Sequence, residues 1–166
     1  MKNRAAMMSS ADETWNTPAV VLDALRAGFG EIGLDPCDNA GSLTLARKSY
    51  RKDRGEDGLA SSWQDCGLVF CNPPYGREIS KWAKKAAIEA GKGAEIVSLV
   101  PARVDTAWFE TLTTNAAAVL FWRGRLRFGN ATSGAPFPSA LVYHGEQIDL
   151  FIDTFRARGS LWVPLA

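Results

Sequence analysis

Leu68-Val69-Phe70-Cys71-Asn72-Pro73-Pro74-Tyr75-Gly76 is an unbroken apolar run that stops on a polar, proline-rich turn. Four apolar residues without alternation fit a strand buried on both faces, and such strands belong to sheets covered by helices on each side. Consecutive prolines lack N–H groups and hold the backbone extended, so the carbonyls of the turn stay available as acceptors. The Asn72 amide oxygen beside the Pro73 carbonyl offers two acceptors to one NH₂ group, and Tyr75 adds a ring that can stack on a planar base. An exocyclic amine that is to be methylated needs that geometry more than it needs a strong base. The bland alternative is a plain Pro-Pro turn. With proline at about 5% usage, this tetrapeptide arises by chance in on the order of one chain in a thousand of this length. Its place at the end of an apolar strand favours chemistry.

Outward from this stretch, the pattern is a regular alternation. Asn16-Thr17-Pro18 opens a helix that Thr17 caps and whose first turn suits Pro18; Val21, Leu22, Leu25 and Phe29 share its face, and Gly28 or Gly30 ends it. A strand at Ile32–Leu34 runs into Asp35-Pro36-Cys37-Asp38-Asn39. Gly41 to Trp63 reads mostly as a long polar loop, with a possible strand near Leu43–Ala46. A helix over Ile79–Ala90 stops at Gly91, a strand over Ile96–Val100 stops at Pro101, and Asp105 caps a short helix carrying Trp108, Phe109 and Leu112. Strands at Ala117–Trp122 and Ser139–Tyr143 precede a last helix from Ile148 to Phe155. This alternation predicts an α/β domain built on a mostly parallel, doubly wound sheet with helices on both faces. The open ends of such strands are where ligands bind.

The chain of 166 residues fits one domain. Residues 1–13 read as a flexible N-terminal tail and 14–166 as the domain. Its hydrophobic fraction of 46% and charged fraction of 22% exclude a disordered chain. No apolar run approaches the roughly 20 residues of a membrane span. Cys37, Cys66 and Cys71 show no zinc spacing, so no metal is expected, and their odd number suits a reducing cytoplasm. The net charge of +1 hides a segregation. Residues 1–40 carry six acids against three bases, whereas Arg47 to Arg54 carry five bases and one acid. Further bases gather at Arg77, Lys81, Lys84 and Lys85, and at Arg123, Arg125 and Arg127. Such patches suit a polyanion lying across one face, although charge runs are usually only solvated surface.

Asn72-Pro73-Pro74-Tyr75 resembles the catalytic motif of amino-methyltransferases that use S-adenosylmethionine. The wider pattern is similar to the compact DNA N-6-adenine methyltransferases of phages and prophages. It comprises Trp15-Asn16-Thr17-Pro18, Leu34-Asp35-Pro36, Asp57-Gly58-Leu59 with Trp63, Val69 to Gly76, Leu99 to Arg103 with Asp105-Thr106 and Trp108-Phe109, Gly124 to Phe128, and Ala135 to Ser139. The resemblance implies a Rossmann-like class I methyltransferase fold acting on double-stranded DNA in a bacterial or phage-infected cytoplasm. It implies that Asn72, Pro73, Pro74 and Tyr75 hold the adenine, the amine on Asn72 and the Pro73 carbonyl. It assigns the S-adenosylmethionine site to Trp15, Thr17, Pro18, Asp35, Pro36 and Asp57, with Asp35 on the methionine amine. The chain departs from the wider class in a glycine-poor turn after Asp35 and in lacking an acid at the end of a second strand.

DNA contacts fall to Arg47, Lys48, Arg51, Lys52 and Arg54, expected as a mobile basic arm, and to Arg103, Arg125 and Arg127. Two other readings stand beside this one: the same chemistry on RNA adenine or a protein glutamine amide, and a non-catalytic nucleic-acid-binding module. His144 reads as a surface or satisfied structural histidine, because the chemistry needs none. Trp82, Trp108 and Trp122 read as core, and the recognition sequence, biological role and oligomeric state stay open.

Overall fold

The computed structural model describes residues 15–164, so the expected tail at 1–13 lies outside the described residues. Seven strands form one sheet: β1 (Leu34–Asp38), β2 (Lys48–Arg51), β3 (Val69–Cys71), β4 (Ile96–Pro101), β5 (Ala118–Trp122), β6 (Ser139–His144) and β7 (Gly159–Trp162). Helices α1 (Ala19–Phe29), α2 (Ile79–Gly91), α3 (Ala107–Thr113) and α4 (Ile148–Phe155) cover it. The spatial order is β2-β1-β3-β4-β6-β5-β7.

Alternate residues of the central strands enter opposite layers. Phe70, Val97, Leu99, Leu141 and Tyr143 pack with Val21, Leu22 and Leu25 of α1 and Phe151 and Phe155 of α4. Val69, Cys71, Ile96, Val100, Ala140 and Val142 meet Trp82 and Ala86 of α2 and Phe109 and Leu112 of α3. Both faces are therefore covered, as the apolar run at 68–71 requires. Full burial of each large apolar side chain contributes about 1.5–3 kcal/mol. Among the described residues no helix is long and apolar enough to cross a membrane.

The sheet is mixed, with two strands, β6 and β7, running against the other five. β2, β1, β3 and β4 run parallel, but β6 is antiparallel to both β4 and β5, and β7 is antiparallel to β5. Residues 123–138, between β5 and β6, hold no helix. Without a crossover, the chain reverses direction and pairs with the strand it has just left.

Smaller differences have local causes. The first strand begins at Leu34 rather than Ile32, and the expected strand near Leu43–Ala46 is absent. Leu45 adopts φ 48, a left-handed conformation that no strand admits. The strand forms instead at Lys48–Arg51, a polar edge strand without apolar periodicity. Helix α1 is entered through Pro18 with no side-chain cap, so Thr17 does not cap it. Thr106, not Asp105, precedes α3.

Candidate active site

A cleft of about 660 Å³ opens beyond the carboxyl ends of the parallel strands. That volume lies in the range of roughly 300–1,000 Å³ usual for small-molecule sites. Its walls are Pro36 to Asn39 at the end of β1, Tyr50 of β2 and Lys52 just after it, Gly55 to Leu59, Asn72 to Pro74 after β3, Trp82 of α2, and Trp15. The loop holding Asp57 is pressed against β1: a Cβ at Gly58 would lie 1.8 Å from the Pro36 carbonyl oxygen. Buried Trp63 anchors that loop by donating from Nε1 to the Gly58 carbonyl at 2.8 Å. Asp57 lines the cleft and also caps its own turn, accepting the Leu59 N–H at 2.9 Å.

Asn72 is held from three sides. Its Nδ2 donates to the Trp15 carbonyl at 2.5 Å and to Thr17 Oγ1 at 2.9 Å. Its Oδ1 accepts the Tyr75 hydroxyl at 2.7 Å, the Leu99 carbonyl being farther from that hydroxyl at 3.3 Å. Burial pushes the Tyr75 phenol well above its usual value, with Cys37 and Cys71 adding to the effect. Tyr75 therefore stays protonated at neutral pH. Its ring stands edge-on to Phe128 and Phe137, at centroid distances of 5.9 and 5.5 Å, and near-parallel to Trp15 at 6.3 Å. Phe128 and Phe137 come from the β5–β6 connection, where the sequence points to Arg123 to Phe137 as a loop for reading DNA and does not single out these rings as neighbours of Tyr75. An alternation of exposed Arg125 and Arg127 with buried Leu126 and Phe128 was the available signal.

The remaining expected residues divide. Pro36 lines the cleft, whereas Thr17 is buried behind Asn72 and Pro18 leads into α1. Asp35 is buried and is not a lining residue; it accepts the Cys37 N–H at 3.1 Å and lies 3.5 Å from the Ser42 hydroxyl. Burial raises its carboxyl to about 6, with Thr44 and Cys37 opposing and Asp38 assisting. Asp38, three residues on, does line the cleft, as do Tyr50 and Trp82. The sequence reading missed Asp38 and Tyr50 and took Trp82 for core alone.

The basic arm is not a mobile loop, because residues 48–54 form β2 and a 3₁₀ turn. Arg51 is clasped in two bonds by Asp53, at 3.0 and 2.6 Å. Arg47 reaches the Cys66 carbonyl at 3.0 Å and lies 3.6 Å from Glu31. Lys48 sits over the Tyr50 ring, and Lys52 and Arg54 are exposed. Arg103, Arg125 and Arg127 are exposed and make no ion pair among the described residues. His144 differs from expectation: it is buried, its ring nitrogens lack hydrogen-bond partners among the described residues, and burial pushes it down to about 4. It is far from the chemistry, at the end of β6.

With the geometry in hand, two similarities are informative. Residues 4–157 match the family of DNA N-6-adenine-methyltransferases (Dam). A DNA N-6-adenine-methyltransferase of Escherichia phage T1 is 29% identical over 109 residues, which is 66% of this chain and 44% of that relative. The chain thus spans less than half the length of the curated relative it matches.

Proposed function

The chain belongs to the DNA N-6-adenine-methyltransferase family, and from that premise we propose that it transfers a methyl group from S-adenosylmethionine to adenine N6 in double-stranded DNA, with residues 14–166 acting as one domain. The observation that carries the reading is the Asn72 amide, which lines the cleft next to Pro73 and is fixed by the Trp15 carbonyl, the Thr17 hydroxyl and the Tyr75 hydroxyl. A base in a duplex cannot reach this recess, so the adenine is flipped out, at a cost of a few kcal/mol.

The cleft suits the cofactor in size and in chemistry. Asp38 and Asp57 offer carboxylates to an ammonium and an amino group, and Tyr50 and Trp82 offer aromatic walls. When bound, the cofactor supplies a methyl group on a sulfonium sulfur, open to attack by a nitrogen lone pair. Asn72 Oδ1 keeps a second lone pair beside the Tyr75 hydroxyl, and this accepts a hydrogen bond from one N6–H. The Pro73 carbonyl accepts the other. As the nitrogen becomes positive in the transition state, both acceptors tighten on it, which is electrostatic stabilisation by groups already in place, and the surplus N6 proton then leaves to solvent. Tyr75 is no base, since burial keeps it protonated; with half-buried Trp15 and Phe137 it forms the surface on which the base stacks, and buried Phe128 backs that surface. Exposed Arg103, Arg125 and Arg127 with Lys48, Lys52 and Arg54 meet phosphates.

Labelled methyl transfer from S-adenosylmethionine to unmethylated duplex DNA, RNA and protein tests the reading. Label in duplex adenine is the expected result, and label only in RNA or protein reassigns the acceptor. Asn72→Ala loses transfer by about 10²–10³-fold, on the scale of one preorganised group removed from a transition state. Its cofactor affinity by calorimetry stays near that of the parent.

A further inference from the structure

We infer that Thr17 is a positioning residue for methyl transfer: with the Trp15 carbonyl, it locks the Asn72 amide so that Oδ1 is presented to the acceptor amine. The inference rests on the adenine-methylating reading above and reassigns Thr17 from the cofactor wall to the amide behind the motif.

An asparagine amide has two ends of nearly equal size and opposite hydrogen-bonding character. Turned by half a revolution, Asn72 would point an NH₂ donor at the donor amine of adenine, and the amine would not be held. A carbonyl oxygen only accepts, so the Asn72 atom 2.5 Å from the Trp15 carbonyl is Nδ2. The second amide hydrogen goes to Thr17 Oγ1 at 2.9 Å. The Tyr75 hydroxyl, with the Leu99 carbonyl also near, donates to Oδ1 and reinforces the same orientation. Thr17 is 5% exposed, and its hydroxyl is not engaged in capping α1. Removing it leaves a buried amide hydrogen without a partner and lets the amide turn.

The test compares Thr17→Val, which keeps the shape and loses the acceptor, with Thr17→Ser, which keeps the acceptor. On unmethylated duplex DNA, Thr17→Val lowers the single-turnover transfer rate by about 10- to 100-fold, the scale on which misplaced reacting groups lose rate. Its cofactor and DNA affinities stay within about twofold, and Thr17→Ser keeps most of the rate. Asn72→Asp sets a carboxylate oxygen against the Trp15 carbonyl; its rate rises as pH falls, when the protonated carboxyl donates to that carbonyl, whereas the parent shows no such rise. The inference is overturned if Thr17→Val keeps the parent rate, if it weakens cofactor binding instead, or if Thr17→Ser is equally slow. Should the parent methylate no DNA, the family reading fails, and the positioning is judged by nitrogen-15 NMR. Slow hydrogen exchange of the Asn72 side-chain amide, accelerated in Thr17→Val, supports it, and equal exchange in both overturns it.

Discussion

At Glu89 a single carboxylate, 1% exposed, ties the loop before β3 to the end of α2. Oε2 accepts from the Trp63 backbone N–H at 3.1 Å and from Gln64 Nε2 at 2.7 Å, while Oε1 pairs with Lys85 at 2.9 Å and Lys92 at 3.1 Å. An acid in the last turn of a helix opposes the helix dipole, and the two lysines offset that. Burial pushes the carboxyl up, but Lys85, Gln64, the Trp63 N–H and Lys92 outweigh it and hold it at about 2, against 4.5 when exposed. The folded form therefore releases its proton more readily than the unfolded chain. The resulting stability, at most about 3 kcal/mol, is present above pH 4.5 and lost as pH falls toward 2. Urea unfolding of the parent and Glu89→Gln at pH 7 and pH 3 checks this: the variant is less stable at pH 7, and the gap narrows at pH 3. Because Trp63 holds Gly58 at the cleft, the same variant loosens the loop that carries Asp57.

At the scale of elements, the end of β1 divides labour between two acids. The register against β2 shifts between Asp35 and Asp38, and only Asp38 reaches the cleft lining. Asp35 braces the turn from behind, through Cys37 and Ser42. Asp38→Asn is expected to weaken cofactor binding by about ten- to a hundredfold, the value of one charge-assisted hydrogen bond. Asp35→Asn leaves that affinity nearly unchanged and acts on stability. The raised Asp35 carboxyl contributes stability in its neutral form, complete below pH 3.8 and lost as pH rises through about 6; the variant removes this pH dependence. Calorimetry with S-adenosylmethionine and thermal unfolding across pH separate the two roles, and the opposite pattern would return the cofactor contact to Asp35. From the sequence, Asp35 stood out because its position matched a motif. Motif position does not report which acid a bulged strand end turns toward the cleft.

Over the whole molecule, the near-neutral charge is arranged rather than dispersed. Arg47 and Arg51 are spent on internal partners, whereas Arg103, Arg125 and Arg127 are exposed; Arg125 and Arg127 share the β5–β6 connection with the aromatic residues around Tyr75. Each phosphate contact adds about 0.9 to the slope of log affinity against log salt. Arg125→Ala with Arg127→Ala is expected to flatten that slope by nearly two units, while Arg51→Ala changes it little. Binding to duplex DNA across a salt series measures both. A change in sequence preference with a constant slope would make the arginines base readers instead.

Local information carried a good part of this outcome. The apolar runs at 68–71 and 96–100 imply a sheet covered on both faces, because unalternated strands have no side to give to water. The tetrapeptide at Asn72 marked the candidate site, because prolines, an amide and an aromatic ring express their chemistry within four residues. Tertiary structure alone decided the antiparallel placing of β6 between β4 and β5, the edge strand β7, the pairing of Arg51 with Asp53, and the lock on Asn72 by residues 55 and 57 positions earlier. The reason is physical. Burial periodicity is a property of a segment, whereas strand direction, ion-pair choice and amide orientation depend on which distant groups the completed fold brings within about 3 Å of one another.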